Sequence, residues 1–164
     1  MSTRNRLPSF VAASAIVVAL VCTSGAARAD HELIEGKLSA CRSDGTVIGQ
    51  VNACGKRWRL QSGEVEVELD GDLEVEIKGL VLDDPSTGES NGTADGVTQI
   101  VVSLVCGDAT GTVAVESGRF ALGKSGNAEF KTKWKLPAEC AAPVVLIREV
   151  REGRVGGWLA VTGR

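Results

Sequence analysis

Residues 64–78 read Glu-Val-Glu-Val-Glu-Leu-Asp-Gly-Asp-Leu-Glu-Val-Glu-Ile-Lys, charged and apolar side chains alternating on both sides of a central Asp-Gly pair. A period of two marks a strand with one buried face; a helical stripe would recur every 3.6 residues. The two arms therefore form a β-hairpin. Val65, Val67 and Leu69 share a face of the first arm, and Leu73, Val75 and Ile77 a face of the second. For the two to merge, paired positions must sum to an even number, which a two-residue Asp70-Gly71 turn does not allow. A three-residue loop, Leu69-Asp70-Gly71 with glycine in the left-handed conformation, sets Val67 beside Leu73 and Val65 beside Val75.

Strand signals continue through the rest of the chain, which is rich in valine and punctuated by glycine. They predict strands near 32–40, 56–61, 63–69, 72–82, 97–106, 112–117, 119–122, 128–136, 143–150 and 155–162, with a weaker signal at 46–51. Many short strands separated by turns predict an all-β fold: one small β-sandwich, Ig-like or jelly-roll-like, with a closed barrel as the alternative. Pro143-Val-Val-Leu-Ile147 is apolar on both faces and so belongs at a sheet centre. A two-residue Glu152-Gly153 turn after it would align Val150 with Val155, Leu146 with Leu159 and Val144 with Val161. It would also gather Arg148, Arg151 and Arg154 into a small basic spot.

The first 29 residues follow a different logic. Arg4 and Arg6 precede a 13-residue run, Phe10 to Cys22, that is apolar except for Ser14, and a small-residue stretch ends Ala27-Arg28-Ala29. That order predicts a cleavable secretory signal over 1–29, with the remaining domain at 30–164. A bilayer span takes about 20 apolar residues, so no transmembrane anchor is expected after cleavage. The remaining 135 residues suit one domain. Without Arg4, Arg6 and Arg28 they carry 15 basic against 21 acidic side chains, a net charge of −6. A chain so charged is repelled by nucleic acid.

Cys22 leaves with the signal, and Cys41, Cys54, Cys106 and Cys140 remain. Four cysteines in a small exported domain predict two disulfides, in a secreted, periplasmic or otherwise extracytoplasmic setting. Metal ligation wants close cysteine pairs or cysteine with histidine. Here no two cysteines are closer than 13 positions and His31 is the sole histidine, so no metal is expected. Of the three possible pairings, sequence proximity favours Cys41–Cys54 with Cys106–Cys140. That choice has a condition: an extended 46–53 would hold its ends about 25 Å apart, whereas bonded cysteines need Cα atoms within about 7 Å. Residues 42–53 must therefore curl, which Gly45, Gly49 and Asn52 permit.

No residue set is sufficient for a recognisable reaction. Gly88-Glu-Ser-Asn-Gly92 matches G-x-S-x-G, but the nucleophile elbow needs a strand before it, a helix after it and a histidine base. Residues 83–96 form the one long irregular segment, and Asp83, Asp84, Glu89, Asn91 and Asp95 are the residue types that bind calcium as well as those of any solvated turn. Asn91-Gly-Thr93 fits a glycosylation acceptor. Two carboxylates could support glycoside hydrolysis, but Trp58, Trp134 and Trp158 sit among apolar neighbours and read as core. The face of the 64–78 hairpin bearing Glu64, Glu66, Glu68, Glu74 and Glu76 is either a surface for a cation or basic partner or an ordinary solvated face. Lys56, Arg57 and Arg59, or Lys131, Lys133 and Lys135, are placed in sequence to neutralise it. The expectation is an exported, non-catalytic module without a cofactor, binding an unidentified protein or envelope component. A carboxylate-dependent hydrolase and a secreted enzyme inhibitor are the alternatives.

Overall fold

The computed structural model describes residues 31–94, 96–107 and 111–163; the expected signal lies outside them. Numbered along the chain, the strands are β1 (Glu32–Ala40), β2 (Val47–Ile48), β3 (Val51–Asn52), β4 (Trp58–Arg59), β5 (Ser62–Glu68), β6 (Asp72–Lys78), β7 (Val81–Leu82), β8 (Gln99–Cys106), β9 (Thr112–Glu116), β10 (Phe120–Ala121), β11 (Ala128–Lys133), β12 (Val144–Arg151) and β13 (Arg154–Thr162). A short 3-10 helix spans Pro85–Ser90.

The alternating segment adopts the register its pattern requires, with Val65 opposite Val75 and Val67 opposite Leu73. Gly71 closes the loop at φ 95, and its N–H donates to the Glu68 carbonyl at 2.9 Å. A Cβ at Gly71 would also run into the Trp134 carbonyl, so no other residue fits without a shift. Val65, Val67, Leu73, Val75 and Ile77 are buried. Leu69 is not: it rides in the loop and is 57% exposed.

β1 organises the sandwich. Its first part pairs with β5 and its last part, Leu38–Ala40, with β13. The strand thus passes from sheet A (β1-β5-β6-β11) into sheet B, where the order runs β1-β13-β12-β8 and both β9 and β10 pair with the far edge of β8. On the opposite side of the sandwich Phe120 of β10 and Phe130 of β11 stack with ring centroids 3.6 Å apart. Side chains thus seal that seam, and the core between the sheets includes Ile100, Val102, Leu104, Val145 and Ile147. All three tryptophans are buried, as expected from their apolar neighbours.

Both disulfides form, Cys41–Cys54 with a Cα separation of 6.1 Å and Cys106–Cys140 with 4.9 Å. The segment between the first pair curls as required: β2 and β3 make a miniature hairpin around Gly49 and Gln50, both at positive φ. This strap lies on the outside of sheet B. A Cβ at Gly49 would come within 2.5 Å of a Val105 methyl. Ala53 forms a bridge with Trp158, whose indole N–H donates to the Thr46 carbonyl at 3.3 Å.

Three expectations need correction. The run 72–82 is two strands: at the break the Gly79 N–H donates to Asn127 Oδ1 and the Leu80 N–H to the Gly126 carbonyl, so the chain pairs with the β10–β11 connection. Within 56–61 only Trp58–Arg59 is strand, paired with β7. The β12–β13 hairpin starts as expected, with Val150 opposite Val155 and Arg151 opposite Arg154, but then shifts twice, bringing Leu146 opposite Val161 instead of Leu159. The extra residues are on β13, where a Cβ at Gly157 would lie 2.9 Å from the Asn52 and Ala53 carbonyls. The close approach of the strap makes this a bulge site; the two one-residue shifts together restore the expected faces from Ala160 on, while Trp158, between them, is turned to the strap side opposite Arg148.

Candidate functional site

The outer face of sheet A is a lattice of charge. One row across the strands reads Glu35, Glu66, Glu74 and Lys131; the next reads Lys37, Glu64, Glu76 and Glu129. With Glu32, Glu68, Asp72, Lys78 and Lys133, nine carboxylates face four lysines, and Asp70 adds another at the turn. Glu66, Glu68, Glu74 and Glu76 are half-buried, flanked on both sides by neighbouring strands. Two shallow depressions lie on this face. The first, about 430 Å³, is lined by Glu35, Lys37, Glu64, Glu66, Glu74 and Glu76. The second, about 460 Å³, runs toward Asp72, Lys131 and Lys133.

β11 supplies part of the neutralisation anticipated from its alternation. Lys131 Nζ is 2.6 Å from Glu74, and Lys133 is 3.0 Å from Asp70 and 2.9 Å from Asp72. These contacts hold both ammonium groups above the ordinary lysine range. Lys78, bonded to Glu76, is raised likewise. Asp70 is held below the usual carboxylate range, first by the Asp72 N–H and then by Lys133. Glu68, Asp70 and Asp72 bring carboxylate oxygens within 4.8 Å of one another, with Lys133 already among them.

Lys56, Arg57 and Arg59 do not serve this face, contrary to the sequence expectation. β4 pairs with β7 in a separate two-stranded ladder, and Arg57 instead bonds Asp83, at 3.0 Å to the carboxylate and 2.8 Å to the carbonyl. Sequence reasoning also missed Glu35, Lys37 and Glu129 as members of the lattice. Alternation in 32–40 and 128–133 was there to find them, but only the strand order shows that β1 and β11 flank the glutamate hairpin. The expected basic spot does not converge either. Arg148, its side chain 13% exposed, bonds Glu116 and donates to the Gly156 carbonyl, while Arg151 bonds Glu149 at 2.5 Å and the Gly96 carbonyl at 3.2 Å.

The 83–96 segment is more regular than its sequence suggests. Asp84 caps the 3-10 helix, its Oδ1 accepting from the Ser86 N–H at 3.0 Å, and the Ser86 bonds hold its carboxyl below the ordinary range. Asn91 Oδ1 accepts from the Asp84 N–H at 2.9 Å, and the segment closes on β7 where Leu82 N–H donates to the Thr93 carbonyl. Asp84 and Asn91 thus use side-chain oxygens to hold the turn, and the Asp83 carboxylate bonds Arg57; Asp95 lies outside the described residues. Ser90 ends the 3-10 helix with its carbonyl accepting from Thr93. His31 is hydrogen-bonded through its backbone to Leu69, at the turn of the glutamate hairpin. The elbow context that G-x-S-x-G chemistry requires, a strand leading into a true helix, is not built around Ser90.

Among the described residues no helix is long and apolar enough to cross a membrane. No protein-family model matches the sequence, and neither a curated protein nor a solved structure is similar to it.

Proposed function

We propose that this chain is an exported, non-catalytic binding module whose acidic sheet A face engages a cationic partner. One observation carries the reading: a four-stranded face that no other described residues cover, on which nine carboxylates outnumber four lysines. Like charges set side by side across strands cost stability, and a cationic partner converts that cost into affinity. Two disulfides and the leader pattern at 1–29 support export.

The test is surface-based binding of the oxidised protein to a lysine-rich peptide and to a glutamate-rich peptide of equal length. Saturable binding to the basic peptide alone is expected, weakening with added salt and reduced in the Glu66→Gln/Glu74→Gln variant. Equal binding to both peptides, or binding indifferent to that variant, contradicts the reading. In the secreting cell the exported product should begin at Asp30.

A further inference from the structure

The second concentration of charge on the molecule is basic, and it lies elsewhere. A depression of about 560 Å³ opens beside the last residues of β1 and β4, and Arg42, Arg57 and Arg59 line it with Asp83 as the one acid. Beneath it Trp58 and Leu38 are buried, 3% and 7% exposed, and Leu60 is half-buried beside them. Asp83 is committed to Arg57 through both its carboxylate and its carbonyl. The side chains of Arg42 and Arg59 have no ion-pair or hydrogen-bond partner among the described residues, although acids outnumber bases 21 to 15 beyond the leader.

Each element is placed by something rigid. Arg42 follows disulfide-bonded Cys41 directly. Trp58, between Arg57 and Arg59, donates its backbone N–H to the Cys41 carbonyl at 2.9 Å, which draws β4 against the end of β1. The Arg59 guanidinium reaches over the 83–96 segment, 3.7 Å from where a Cβ on Gly92 would stand. The cleft volume is within the range of small-ligand sites. Guanidinium groups offer paired N–H donors matched to two oxygens of one anion.

We infer that this depression binds an oxyanion, a carboxylate or phosphate group borne by a larger ligand, with Arg42 and Arg59 as its clamp and Arg57 held in place by Asp83. The acidic face of sheet A disfavours a long polyanion and confines recognition to a compact anionic group. This site is independent of the proposed cation-binding face.

The experiment follows the arginine Nε–Hε signals of the oxidised protein by NMR during titration with pyrophosphate and, separately, citrate, at constant ionic strength set with chloride. Saturable shifts at Arg42 and Arg59 with either probe are expected, and the probe that binds tighter separates a phosphate from a carboxylate site. Arg42→Gln and Arg59→Gln should each weaken binding about tenfold or more. Arg154→Gln, at the β12–β13 turn and outside the lining of the depression, should leave it unchanged. Shifts that never saturate, or an equal loss in Arg154→Gln, overturn the inference. The variants' unchanged dispersion of backbone signals shows that they fold.

Discussion

The two sheets present opposite outer faces. Sheet A turns a charged lattice to solvent, while the outside of sheet B is apolar apart from an Arg148–Ser103–Glu116 cluster and carries a covering strap. The strap is a twelve-residue excursion between Cys41 and Cys54, and it presses Gly49 against Val105 and Ala53 against Trp158. One face is thus kept soluble by composition and the other by architecture. The difference explains why β8 is buried on both faces while β5 and β6 alternate between buried and exposed or half-buried positions.

Removing the strap's anchor is the strongest way to break this contrast. Cys41→Ala/Cys54→Ala should cost about 3 kcal/mol in chain entropy and uncover the apolar outside of sheet B. Urea unfolding, with dye binding for exposed apolar surface, measures both, and an unchanged midpoint sinks the description of the strap as a cover. Gly49→Val keeps the disulfide but puts a branched side chain at φ 57 against Val105. A loss of about 2 kcal/mol is expected from strain and overpacking, read from the same unfolding curves.

A subtler contrast separates two buried indoles. Trp158 donates to Thr46 of the strap, whereas Trp134 Nε1 has no partner among the described residues. Trp158→Phe should therefore cost about 1 kcal/mol more than Trp134→Phe, since only the first forfeits a hydrogen bond. Equal costs leave the strap bond without weight. On sheet A, Glu66→Gln relieves the Glu35–Glu66–Glu74 row and should stabilise by about 0.5 kcal/mol at low salt, an increment that high salt erases. The smallest effect concerns pH. Asp70 titrates below its unfolded value, so its contribution is present above the ordinary carboxylate range and is lost as pH falls through the lowered value. The melting-temperature gap between the natural protein and Asp70→Asn should be constant above about pH 5 and close on acidification.

How far the sequence reveals these faces depends on the range of the interaction. The glutamate hairpin was legible to the residue, because period-two alternation and the parity of a three-residue loop are local facts. The disulfide partners were legible for a related reason: the glycines between Cys41 and Cys54 allow the curl that a straight strand forbids. The far part of the β12–β13 register was not, because its bulges answer to the strap lying across Gly157, a contact with residues a hundred positions away. The same limit misplaced Lys56, Arg57 and Arg59, whose side the β4–β7 ladder determines. Of the two charged sites, half the acidic lattice could be read from one hairpin. The arginine depression could not, since it depends on β1, β4 and Asp83 meeting in space.

Non-reducing peptide mapping of the folded protein tests the central claim most directly, because the covered and open faces both follow from how the strap is anchored. Linked peptides joining Cys41 to Cys54 and Cys106 to Cys140 are expected. Free thiols, or a link from Cys41 or Cys54 to either of the other two, would contradict a strap lying across sheet B.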